Sequence, residues 1–219
     1  MQNFKEYLQS SKEKYPTLVI NFDRHDNNKD DIENLDDVIT SLNELGFPKT
    51  IELDINDKKS RRCIARLELS KSYSEQELFK ICHDYINYLE KITDTKFTKA
   101  SDDWYPCIVI RDTLPKGLVL GTKKCVLNFD DANNVSLSGF HKQITEFERL
   151  AIYSCNKITS GILSLLLTKN HETIFFNSTI NKNSLGWVSI IEEALKNNTD
   201  ILDVQEELIS KGFQQLAKL

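Results

Sequence analysis

The apolar positions of this chain change period several times, and each change marks an element. In TLVINFD (17–23), Leu18, Ile20 and Phe22 take alternate positions, the period of a half-buried strand. A helix over roughly 2–13 is expected to precede it and to end before Pro16. From Asp31 to Gly46, residues Ile32, Leu35, Val38, Ile39, Leu42 and Leu45 form one helical stripe, with Gly46 as its stop and Pro48 beyond. KTIELDI then alternates, with Ile51, Leu53 and Ile55 inward and Glu52 and Asp54 outward. After the polar turn NDKKS, RRCIARLEL sets Cys63, Ala65, Leu67 and Leu69 against Arg62, Arg66 and Glu68, so the two strands predict a hairpin. A capping box of Ser74 and Glu77 opens a helix carrying Leu78, Ile81, Cys82, Tyr85, Ile86 and Leu89, and CIVIRD (107–112) is the next strand.

Strand, helix, strand, strand, helix, strand is the order of a ferredoxin-like (βαββαβ) arrangement, so the expected fold class is α+β. Two helices would back one face of a four-stranded antiparallel sheet over about 15–112, leaving the other face to solvent. GLVLGTKKCVLNFD adds a hairpin turning at GTKK. A long helix is expected from about His141 to Leu167, its stripe formed by Ile144, Phe147, Leu150, Ala151, Ile158, Ile162 and Leu165. TIFF (173–176) reads as a strand and 185–218 as two helices separated at NNTD. The expected division is a ferredoxin-like core with its added hairpin over 1–135 and a mainly helical region over 136–219. No Pro- or Gly-rich linker separates them, so the second is expected to pack on the first.

Composition narrows the function classes. With 40% hydrophobic residues in 219 the chain can bury a core, and its net charge of −5, from 33 acids and 28 bases without long blocks, argues against a general phosphate-backbone binder. The five cysteines form no CxxC pair and each sits in an apolar stretch, which suits reduced, buried thiols. MQNFKEYLQSSKEKYP lacks the apolar segment of a secretory signal, and ILSLLL is far too short to span a bilayer; a cytoplasmic location without membrane attachment is expected. Neither G-x-S-x-G, G-x-x-x-x-G-K-[ST] nor G-x-G-x-x-G occurs, which removes the usual serine-nucleophile, ATP-driven and dinucleotide chemistries.

Two places remain for chemistry. INFDRHDNN and LNFDDANN echo one another, and each ends a strand in acids: Asp23, His25 and Asp26 in the first, Asp130 and Asp131 in the second. Were the two ends neighbours, these side chains could share Mg²⁺ or Mn²⁺ and serve phosphoryl or nucleotidyl transfer or phosphodiester hydrolysis. Asp and Asn are also the ordinary residues of turns, since their side chains bond back to nearby backbone, and that reading is preferred. Trp104 and Tyr105 in SDDWYPC, with Arg62 and Arg66 on the outer face of their strand, are candidates for contact with a protein partner. That strand exposes no aromatic on which a base could stack, which leaves nucleic-acid binding unsupported. The expected function is binding of a protein partner or of a second copy, without catalysis; the alternative is the metal-dependent enzyme.

Overall fold

The computed structural model describes residues 15–25, 32–56, 61–99, 106–145, 147–168, 172–176 and 186–219. The helix expected over 2–13 lies outside them.

The first described strand is β1 (Thr17–Arg24), followed by α1 (Leu35–Glu44), β2 (Thr50–Asp54), β3 (Arg62–Glu68), α2 (Glu75–Thr93), β4 (Phe97–Lys99) and β5 (Cys107–Ile110). Gly46 follows α1 at φ 85°, a left-handed turn that a glycine takes without steric penalty. α2 starts as its capping box requires: Glu77 N–H donates to Ser74 Oγ, and the Glu77 carboxylate accepts from Ser74 N–H at 2.7 Å. Between β2 and β3 the register slips at Thr50/Glu52. The slip turns Ile51 outward, 49% exposed, where simple alternation places it inward, and Thr50 takes the buried position. There Thr50 Oγ1 and the Tyr85 hydroxyl of α2 share a buried hydrogen bond of 3.1 Å.

Beyond β5 come β6 (Leu120–Gly121), β7 (Lys124–Asn128), β8 (Val135–Ser136), α3 (Phe140–Gln143), β9 (Ile144–Thr145), β10 (Arg149–Tyr153), β11 (Ile158–Ser160), β12 (Glu172–Phe176), α4 (Gly186–Asn197) and α5 (Ile201–Ser210). Short 3₁₀ turns occupy Cys155–Lys157 and Ile162–Leu165.

The ferredoxin-like expectation is overturned by the sheet itself. It is a mixed sheet of eight strands in the order β12-β10-β7-β5-β1-β3-β2, with β4 beside β1. β1 is antiparallel to β3, β4 and β5, and β2 is antiparallel to β3, but β5, β7, β10 and β12 all run parallel. In the second half the long helices are confined to α4 and α5, and short strands and 3₁₀ turns precede them. Parallel neighbours require a crossover between them, and here the crossovers carry short strands of their own: β6 before β7, β8 and β9 before β10, and β11 before β12. β6 pairs in parallel with β9 rather than with β7, so GTKK is no hairpin turn, and β8 pairs in parallel with β11. The chain therefore winds as a coil: Cys107, Lys124, Arg149 and Glu172 stand side by side, a return to the same row after 17, 25 and 23 residues.

The long helix expected over 141–167 is replaced by this coil for a physical reason. Ile144, Phe147, Leu150, Ile158, Ile162 and Leu165 all reach the core. They do so because successive short strands and a turn each direct residues toward the inside of a closed loop, not because they share one helix face. A spacing of three or four residues serves both geometries, and Ala151, assigned to the stripe, points away from the core. Inter-coil bonds fix the winding: Leu137 N–H donates to Ser160 O at 2.9 Å, Ser160 Oγ to Ser136 Oγ at 2.9 Å, and Gly139 N–H to Ser164 Oγ at 3.2 Å.

One core cluster joins both halves. It takes in Leu18, Ile20 and Phe22 of β1, Leu42 of α1, Leu78 and Leu89 of α2, Cys125, Leu127, Leu150 and Ile152 of the coils, and Trp187, Ile191, Val204 and Leu208 of α4 and α5. The two C-terminal helices meet at Asp200, which caps α5 by accepting from Leu202 N–H at 2.9 Å.

Gly161 is where coil stacking is most demanding. Its φ is 75°, and a Cβ there would stand 2.7 Å from Ser138 Cα of the preceding coil, with Ser138 N and Leu137 C closer still. Gly212 has φ 87° but open space around it. Gly161→Ala should therefore cost about 3 kcal/mol or more in urea denaturation, against about 1–2 kcal/mol for Gly212→Ala. Equal losses would contradict the close approach of the coils.

Candidate partner-binding face

Side chains alternate along a strand, so the register decides which residues share the side of the sheet turned away from the core. One row crosses the whole sheet: Glu52, Arg66, Val19, Cys107, Lys124, Arg149, Glu172. The adjacent row contains Glu68, Thr17, Val109, Val126 and Ala151. At the next level Asn128 stands beside Tyr153, which is 39% exposed, and Arg111 continues the outward alternation of β5. Val109, Val126, Ala151 and Ile64 are half-buried, and none belongs to the core cluster or packs against it.

The middle of this face is drier than its edges. Val19 and Cys107 are only 8% and 9% exposed, yet both lie outside the core cluster. Arg66 and Lys124 flank Cys107 closely enough for both charges to act on its thiol, and Arg66 Nε is itself shielded from water. Long cationic side chains lying along a sheet cover apolar surface with their stems while keeping their charges outward.

Charge divides the face in two. On the antiparallel side stand Asp23, Glu52, Asp54 and Glu68 with Arg62 and Arg66; on the parallel side stand Arg111, Lys124 and Arg149 with Glu172. Arg66 pairs with Glu52 at 2.7 Å and Arg149 with Glu172 at 3.9 Å, while Asp23 and Arg62 are register partners. Among the described residues Lys124 and Arg111 make no ion pair, and neither do Asp54 and Glu68. The uncompensated charges are thus positive on one half and negative on the other.

The two NFD ends do not meet. β1 runs opposite to β7, and Asp23 lies four positions beyond Val19 in one direction while Asn128 lies four beyond Lys124 in the other. At the rise of an extended strand the two ends stand roughly 26 Å apart along the strands, with Asp130 and Asp131 in the turn beyond. Asp130 accepts a short hydrogen bond from Ser154 Oγ, which ties one coil to the next, and its N–H donates to Asn128 Oδ1 at 3.3 Å. His25 N–H donates to Lys96 O at 3.0 Å. Asp26 lies outside the described residues, as do Trp104 and Tyr105. Among the described residues no group of three or more His, Cys, Asp or Glu side chains is placed to hold a metal ion.

Arg62 and Arg66 do lie on the outward face, but the residues that give it its character, Lys124, Val126, Arg149, Ala151 and Tyr153, escape a reading by local pattern. A usable signal exists in the spacing Thr122-x-x-Cys125-x-Leu127-x-x-Asp130, which recurs as Phe147-x-x-Leu150-x-Ile152-x-x-Cys155. Aligning these two segments reveals the coil period and sets Val126 beside Ala151.

Two shallow grooves flank α2. One, of about 500 Å³, lies between Phe79, His83 and Lys123, and the other, of about 330 Å³, between Leu45, Phe47, Tyr73 and Tyr88. Each has as many acids as lysines on its walls, so neither shows a charge preference.

All five cysteines are free and buried. Burial pushes the Cys63 thiol up to about 11 and those of Cys82 and the Tyr85 hydroxyl up to about 12, and it raises Cys107 and Cys125 as well. These groups are neutral at physiological pH, which suits packing and not nucleophilic attack. No helix of the described residues is long and apolar enough to cross a membrane.

Comparison with known proteins finds no counterpart: no family model, no curated protein and no solved structure matches the chain.

The raised thiols fix the sign of an alkaline effect. Above the ordinary thiol range the unfolded chain loses protons that the native chain retains, so stability should be intact at pH 8 and fall as pH rises from about 9 toward 11. Urea denaturation at pH 8 and at pH 10 checks this; equal stability at the two would contradict the burial of the thiols.

Proposed function

We propose that this protein is a binding module that holds a protein partner on the outward face of its mixed sheet, centred on the parallel half. The observation that carries the reading is the row Val109, Val126 and Ala151, bordered by exposed Tyr153 and by the cations Lys124 and Arg111, on a face that takes no part in the core. An apolar centre with an aromatic and a charged border is the composition of protein interfaces. Stacked coils favour the same use, because a parallel sheet built from repeats presents an extended, rigid surface whose outward residues are free to vary. The recurrent spacing around Cys125 and Leu150 resembles that of leucine-rich repeats, in which the strands line the inner surface of a horseshoe. A cytoplasmic setting agrees with five unpaired cysteines, since oxidising compartments drive exposed or neighbouring thiols into disulfides. The metal-dependent enzyme draws no support from the separated positions of Asp23 and Asp130.

A photo-crosslinking side chain placed at Val126 or Ala151 in the host cell should yield an adduct of discrete mass, and Tyr153→Arg should reduce it by at least about tenfold. The same probe at Ile209, exposed on α5, should yield none. Equal capture from both sides, or none from the sheet face, would refute the reading.

A further inference from the structure

Resting on the binding-face reading above, we infer that the partner segment this face takes is acidic: an extended stretch that sets a carboxylate on either side of an apolar side chain lying over Val126.

The register brings cations to the apolar row from both sides. Lys124 precedes Val126 by two residues on β7, Arg111 follows Val109 by two at the end of β5, and Val109 stands beside Val126 with Ala151 beyond. The row Val109, Val126, Ala151 is thus bordered by Lys124 on one side and by Arg111 on the other, roughly 13 Å apart along the strands at the rise of extended chain. Both cations are exposed and the row between them is partly exposed, whereas Val19 and Cys107, toward β1, are already closed over.

Neither cation is matched within the chain. Among the described residues Lys124 and Arg111 make no ion pair, while Arg66 is held by Glu52 at 2.7 Å. The acids nearest to them are engaged elsewhere: Glu172 lies 3.9 Å from Arg149, Asp112 accepts from Thr113 N–H at 2.7 Å, and Asp130 accepts from Ser154 Oγ. Glu68, on β3, is separated from Val109 by β1. A chain of net charge −5 repels acidic partners at long range, and two unmatched cations beside an apolar row oppose that field locally.

An extended segment presents every second side chain on one face, so residues four apart span about the same 13 Å and the residue midway between them meets the row. Such a segment buries its apolar side chain on Val126 and pairs its carboxylates at the border. A segment bearing lysines in those places is rejected by the same two cations.

Mapping the adduct tests this. When Val126 carries the photo-crosslinking side chain in the host cell, mass spectrometry of the captured peptide should find acidic residues on both sides of the attached one, within about four positions. Lys124→Glu combined with Arg111→Glu should cut the adduct at least about tenfold, whereas the same charge change made as Lys196→Glu with Lys211→Glu, on the C-terminal helices, should leave it within about twofold. All four positions are exposed, so both variants should melt close to wild type, which shows that lost capture is not lost folding. With the purified full chain, a synthetic peptide of glutamate, serine, leucine, serine and glutamate should shift the NMR amide signals of Val109, Val126 and Ala151, less so as salt is raised, and its lysine counterpart should not. A neutral or basic captured peptide, an adduct with nucleic acid, capture indifferent to the Lys124 and Arg111 changes, or a lysine peptide that shifts the same amides equally overturns the acidic-segment inference. The binding-face reading survives capture of a neutral or basic protein segment at Val126; the absence of any adduct from the sheet face removes both.

Discussion

The structure depends on one constraint, the parallel hydrogen-bonded register that β7, β10 and β12 keep with β5. A parallel strand cannot be reached by a tight turn, so each addition obliges the chain to travel around the core and return. Here each return path contains short strands that pair with those of the neighbouring coil, β6 with β9 and β8 with β11. A core results that no single coil could enclose alone: Cys125 and Leu127 from one turn meet Leu150 and Ile152 from the next, with Phe129, Phe140 and Phe147 filling the bends. Asp130 bound to Ser154 ties two bends beyond the end of the β7–β10 pairing, and Ser136 bound to Ser160 reinforces the pairing of β8 with β11.

β1 couples this wound half to the antiparallel one. It is antiparallel to β3 over Thr17–Asp23, to β5 over Thr17–Val19 and to β4 over Phe22–Arg24, and β5 beyond it begins the parallel pairing. Its inward residues Leu18, Ile20 and Phe22 are almost fully buried, and Phe22 meets Phe97 edge-on at 5.2 Å. α1 and α2 cover the core from the antiparallel side, while α4 and α5 contribute Trp187, Ile191 and Leu208 to the same cluster. Removing the outward side from core duty is what leaves the sheet free to carry a dipolar arrangement of charge, at the cost of holding Arg66 and Lys124 close over Cys107.

Local elements were legible where one period holds for long enough. The capping box at Ser74 and the stripe Leu78–Leu89 identify α2 because a helix of that length repeats its pattern several times. β3 is equally plain from Cys63, Ala65 and Leu67. The coils were not, since β8 and β9 are two residues each and supply no period, and inward residues three or four apart imitate a helix. The bulge that exposes Ile51 is likewise invisible to alternation. Of the candidate site, Arg62 and Arg66 could be placed on an outer face from β3 alone. The partners across the sheet could not, because Val19, Cys107, Lys124 and Arg149 become neighbours only through pairing between distant segments. The echo of NFD misled for the same reason: sequence similarity conveys no strand direction, and direction puts Asp23 and Asp130 at opposite ends.

Backbone NMR gives the most direct test of the wound sheet. The account predicts parallel-strand contacts linking Val109 with Val126 and Val126 with Ala151, together with extended-chain signals at Arg149–Tyr153 and Ile158–Ser160. An unbroken series of helical contacts between residues three apart from His141 to Leu167, with no cross-strand contact at Ala151, would contradict it.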